Sequence, residues 1–210
     1  MRVLPLLLLC AAAGAAEVAQ FRAEDFGPEW RATRDGAELS AVHPATNGWA
    51  AAFADRGGVS FAATNGVASP LEFDLATTGM VARALIVADC TEAQAWRALL
   101  DAPSGAMLAP ANGTPHLVEV AFPEPVAASE LYLGGHPATP AWNRAWQGRV
   151  FEALFCFGEP SSTDADALRS YLSLRWALGL PFPSTPDIAA RLRTLGVDSG
   201  SLYATILILR

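Results

Sequence analysis

Residues 148–179 read GRVFEALFCFGEPSSTDADALRSYLSLRWALG, and this stretch decides the fold. Its first ten residues form one long, mostly apolar run that reads as a strand, closed by Gly158-Glu159-Pro160. Helix start signals follow at once. Ser161 with Asp164, and Thr163 with Asp166, have the spacing of a capping box with Asp in place of Glu. Both aspartates sit in the first turn, where the helix dipole favours negative charge. Ala165, Leu168, Leu172 and Arg175/Trp176 recur at three to four residues and make one stripe, widened by Tyr171 and Leu178. Gly179 is placed to cap the C-terminus. Trp176, on the apolar side near the cap, is expected to plug a core. The helix is expected to seal one end of a β structure, with function lying elsewhere.

The N-terminus reads as an export signal. Met1-Arg2 precedes the apolar run from Val3 to Cys10, and small residues follow to Ala16. A charged start, a short apolar core and a small-residue cleavage site are the marks of a secretory leader. The run is too short to span a bilayer. The reading is therefore a signal peptide at 1–16 and a secreted, periplasmic or cell-surface protein. The whole chain carries a net charge of −7, and losing Arg2 makes it more negative. Nucleic acid and anionic membranes, which call for a basic patch, are poor partners for such a surface. The leader removes Cys10 and leaves Cys90 and Cys156. A disulfide between them and a pair of buried unbridged thiols are both open.

The rest of the chain reads as short strands near 39–42, 49–53, 59–63, 71–75, 84–88, 96–100, 107–109, 117–122, 130–133 and 149–157. Three Asn-Gly pairs, at 47–48, 65–66 and 112–113, are read as hairpin turns. Leu71-Glu72-Phe73-Asp74-Leu75 alternates cleanly, which sets both carboxylates on one face of its strand. Residues 180–186 are linker-like, 187–195 read as a short helix, and 202–209 as a β-rich run that must pair with something.

Gly148-Arg149-Val150-Phe151-Glu152-Ala153-Leu154-Phe155 followed by Leu168, Tyr171-Leu172, Arg175-Trp176 and Gly179 resembles the end of a concanavalin A-like, laminin-G-type jelly roll. Bacterial members of that family carry a strand of the form G-x-I-x-E-V-x-x-F and then a helix ending K-W-G. Here Arg175 replaces the lysine, and Ala177-Leu178 intervene before the glycine. Leu131-Tyr132-Leu133-Gly134-Gly135 and Ala84-Leu85-Ile86-Val87-Ala88 look like earlier strands of the same family. The resemblance implies an all-β, two-sheet antiparallel jelly-roll sandwich over 17–180. One short helix would follow its last strand, and a helix-strand extension at 181–210 would pack on it. It implies no catalytic residue by itself.

Glycoside hydrolases of this fold carry E-x-D-x-x-E on one strand. Glu72 and Asp74 match its first two positions, and Thr77 stands where the last acid belongs. Retaining hydrolysis needs a second carboxyl group to protonate the leaving oxygen, so no enzyme activity is expected. His43, His116 and His136 have no metal spacing. A structural calcium ion fits lectin-like folds, and Asp55, Asp89, Asp101 and Asn112 are the oxygen donors to consider. Trp142-Asn143-Arg144 could stack a sugar ring and bond its hydroxyls, whereas Trp146 is expected under the sheet. The expected function is an exported, non-catalytic lectin-like module that binds glycan or a cell-surface component through Trp142, Asn143, Arg144, Glu72 and Asp74. The alternatives are an assembly subunit pairing through 202–209 and, less favoured, a divergent glycosidase.

Overall fold

A computed structural model describes residues 16–26, 30–34, 37–42, 52–54, 58–61, 71–75, 79–90, 98–103, 105–107, 113–134, 146–181 and 187–199. Residues 1–15, where the export signal is expected, Trp142-Asn143-Arg144, Thr77 and the run 202–209 lie outside the described residues. The strands are β1 (Glu17–Arg22), β2 (Trp30–Arg34), β3 (Ala37–Val42), β4 (Ala52–Ala54), β5 (Gly58–Phe61), β6 (Leu71–Leu75), β7 (Met80–Cys90), β8 (Leu100–Ala102), β9 (Gly105–Met107), β10 (His116–Ala127), β11 (Tyr132–Leu133) and β12 (Gly148–Phe157). Two helices follow, α1 (Ser162–Trp176) and α2 (Ile188–Thr194).

The strands form two antiparallel sheets. In sheet A the order is β10-β7-β12, and the far side of β12 is shared, with β1 along residues 152–157 and β5 then β4 along 148–150. Sheet B runs β2-β3-β6-β11-β8-β9. Their facing sides share one core, in which Trp30, Leu100 and Leu133 of sheet B meet Phe21, Ile86, Val150 and Phe155 of sheet A. Trp146 is buried there too, with its ring 5.6 Å from that of Phe61.

A second core lies on the outer face of sheet A. Leu85 and Val87 of β7 and Leu154 and Cys156 of β12 pack beneath Leu168, Tyr171 and Leu172 of α1 and Leu192 of α2. This corrects the expectation that the helix seals an end of the sandwich: α1 covers mid-strand residues and makes a third layer. It also explains why β7 and β12 are apolar almost throughout, since both faces of each are covered. The extension joins this layer, with Val18 N–H donating to Leu195 O at 2.9 Å.

The Asn-Gly pairs read as hairpin turns lie in stretches outside the described residues, apart from Gly113. Asn47-Gly48 falls between β3 and β4, Asn65-Gly66 between β5 and β6, and Asn112-Gly113 between β9 and β10, and each connection passes from one sheet to the other. Two connections are set as two-residue links by the register of the strands they join. Arg34 pairs with Ala37 across Asp35-Gly36, and Ala102 with Gly105 across Pro103-Ser104.

Ser161 caps α1 as its sequence predicts, its Oγ accepting from Asp164 N–H at 3.1 Å. The other end differs. Ala177 is the left-handed residue that ends the helix, with φ 51°, and Gly179 two residues on is left-handed as well, with φ 68°. Ser173 closes that end, accepting Leu178 N–H on its carbonyl and Leu180 N–H on its hydroxyl. Asp164 also joins the helices, 2.8 Å from Arg191 Nη1. Burial would raise Asp164, but the Ser161 hydroxyl and Arg191 outweigh it and hold the carboxyl below its ordinary 3.8. A lowered carboxyl stabilises the fold above its ordinary value and stops doing so as pH falls through the lowered one. Asp164→Asn should therefore cost about 1 kcal/mol at neutral pH. That difference should close in acid, as read by urea unfolding at several pH values.

Candidate functional site

Cross-strand register shows which residues share the outer face of sheet B. Leu133 of β11 and Leu100 of β8 are core residues, and position 71 of β6 shares their register row, so the neighbouring row of positions 72, 132 and 101 belongs to the opposite face. A second row on that face runs Arg31, Ser40 and Asp74 across β2, β3 and β6. Neighbouring positions in such rows lie about 4.8 Å apart. Glu72 and Asp74 are thus brought onto one face with Arg31, Tyr132 and Asp101. Tyr132 is half-buried, and Asp101 is 3% exposed and engaged with a neighbour.

At the β2 edge of this face lies a polar cleft of about 260 Å³. Gln20, Arg22, Asp25, Arg31 and Asp198 line it. Arg22 is gripped by carboxylates, with Nε 2.7 Å from Asp25 Oδ2 and Nη1 3.0 Å from Asp198 Oδ2. Gln20 holds the Asp198 side of the cleft in place. Its Oε1 accepts Asp198 N–H at 2.8 Å, and its Nε2 donates to Asp198 O at 3.2 Å.

Behind Gln20 is the best-connected polar group of the described residues, Glu152. A register shift between Val150 and Glu152 lets the consecutive residues Phe151 and Glu152 both face α1. The Glu152 carboxylate is fully buried. Oε1 accepts from Gln20 Nε2 at 2.6 Å and Tyr171 OH at 2.8 Å, and Oε2 accepts from Trp176 Nε1 at 2.9 Å. Arg175 Nε lies 2.9 Å from Oε2, an ion pair whose N–H is out of line for a hydrogen bond. Arg175 also pairs with Glu24. Burial pushes Glu152 above the ordinary carboxyl value, against the pull of Gln20, Arg175, Trp176 and Tyr171. A carboxylate so enclosed has no room for a reacting atom, and its chemistry is that of a clamp joining β12, α1 and β1. Trp176 is correspondingly half-buried, its ring 5.2 Å from Phe151, and it serves the clamp as well as the core.

The sequence reading placed function away from 148–179 and missed Gln20, Arg22, Asp25, Arg31 and Asp198. One signal was available: a lone carboxylate inside an apolar run must find partners if it is buried. Cys90 and Cys156 are both buried and not bridged to each other. Cys90 pairs opposite Gly148 and Cys156 opposite Arg83, seven residues further along β7, or about 24 Å. They also face different cores. A disulfide needs Cα atoms within about 7 Å, so the bridge is ruled out by this geometry. Burial pushes the Cys156 thiol up to about 12.

Among the calcium candidates, Asp89 is committed to Arg149, whose backbone N–H reaches Oδ1 at 3.1 Å and whose Nε reaches Oδ2 at 2.9 Å. Asp55 and Asn112 lie outside the described residues. Among the described residues no group of three or more His, Cys, Asp or Glu is placed to share a metal ion. No helix among them is long and apolar enough to cross a membrane. Compared with protein-family models, curated proteins and solved structures, the chain matches none.

Proposed function

We propose that this chain is an exported, non-catalytic lectin-like module built on a concanavalin A-like jelly roll, and that it binds glycan along the outer face of sheet B. The observation that carries the reading is the row Arg31–Ser40–Asp74, which joins the polar cleft to the strand bearing Glu72 and Asp74. Sugar hydroxyls both donate and accept, and a strip that offers guanidinium next to carboxylate and carboxamide answers both. A second concavity, about 460 Å³, is lined by Met80, Pro103, Pro123 and Pro125 and by the acceptor-only carboxylates of Glu124 and Glu130. Proline has no N–H to give a hydroxyl, so that groove is the poorer glycan site. The family resemblance of 148–179 supports the fold half of the proposal. Thr77, in place of an acid, supports its non-catalytic half.

The test is titration of the chain against a panel of soluble oligosaccharides by calorimetry. Arg31→Ala and Asp74→Asn should each weaken binding about tenfold, or about 1.4 kcal/mol. Binding to no member of the panel rejects the glycan reading. Binding that ignores both substitutions moves the site off this face.

A further inference from the structure

Resting on that reading, we infer that the ligand is an uncharged, hydroxyl-rich chain and not an acidic polysaccharide. Among the described lining residues the charges cancel, two guanidiniums at Arg22 and Arg31 against two carboxylates at Asp25 and Asp198. The balance is also local. All three nitrogens of Arg22 are turned to carboxylates, Nε and Nη2 to Asp25 and Nη1 to Asp198, and Glu24 lies 3.8 Å from Nε. An incoming carboxylate or sulfate would find no open fork at Arg22 and would sit beside the like charges of Asp25 and Asp198. Capture of an anion depends on such a bidentate fork.

A neutral hydroxyl meets the opposite situation. It donates to the outer lone pairs of Asp25 or Asp198, whose oxygens can each accept more than one hydrogen bond, and no charge is buried unpaired. Gln20 keeps the arrangement ready by holding Asp198 through its backbone on both sides. Beyond the cleft, the strip continues onto the acidic positions 74 and 72. The chain's charge of −7 repels anions at longer range as well.

The experiment titrates the chain with two oligosaccharides of equal length, one neutral and one made of uronic acids, at low and high salt. The neutral ligand should bind at least about tenfold more tightly, with little change between about 0.05 and 0.5 M salt, because a neutral ligand has no Coulomb attraction to screen. Asp25→Asn removes one cleft carboxylate and should narrow the gap by strengthening uronate binding. Asp198→Asn should do the same by a second route. A uronate that binds as well as the neutral chain, and weakens with salt, overturns this inference and leaves the glycan reading standing. Binding of neither ligand removes both.

Discussion

Glu152→Ala should destabilise the chain by about 3–5 kcal/mol, the usual cost of removing one partner of a buried ion pair. The substitution leaves Gln20 Nε2, Tyr171 OH and Trp176 Nε1 without their shared acceptor, and Arg175 without its buried counter-charge. Each buried donor so stranded costs free energy, and α1, β1 and β12 lose the group that joins them. Glu24 still faces Arg175 from the exposed side and limits the loss. Urea denaturation followed by circular dichroism reads the change. The amide of Gln20 should also release Asp198, so the variant is expected to lose ligand binding in step with stability. A change below about 1 kcal/mol would mean that α1 is held by apolar packing alone.

Gly148→Ala should cost about 3 kcal/mol or more, at the upper end for overpacking. Gly148 opens β12 between two strands, pairing with Cys90 on one side and Phe61 on the other. A Cβ there would overlap the backbone oxygen of Asp89 and press on the Trp146 ring at 2.6 Å. Backbone in the middle of a sheet cannot step aside without breaking its ladder. Gly113→Ala is the matching control. It has φ 65° but nothing within 4 Å of the added carbon, so it carries backbone strain alone, about 1 kcal/mol. Comparable losses for the two variants would contradict the overlap argument.

The helix was legible because its signals are local. Ser161 and Asp164 lie three residues apart, and the cap follows from their chemistry without reference to the rest of the fold. Its position on the sheet was not legible as a lid, although the mostly apolar character of β7 and β12 already asked for cover on both faces. Turn chemistry was overlooked at one place. The three Asn-Gly pairs have the right residues for hairpins, yet the strands they join belong to different sheets. Asp35-Gly36, with the same chemistry, lies at a true two-residue turn.

The site was less legible because its pairs are distant in sequence. Arg22 and Asp198 are 176 residues apart, and Gln20 and Glu152 are 132. No local pattern announces such contacts. Alternation did place Glu72 and Asp74 on one face, because that is set by strand geometry alone. That Arg31 shares this face required knowing that β3 sits between β2 and β6.

The most direct measurement of the central claim is a backbone amide shift map of the isotopically labelled chain, recorded while a neutral oligosaccharide is added to saturation. Glycan binding on the outer face of sheet B predicts shifts at Arg22, Arg31, Ser40, Asp74 and Asp198, with Leu168 and Leu172 under α1 unmoved. Shifts confined to Met80, Glu124 and Val126, which line the other groove, or no shifts at saturating ligand, would contradict it.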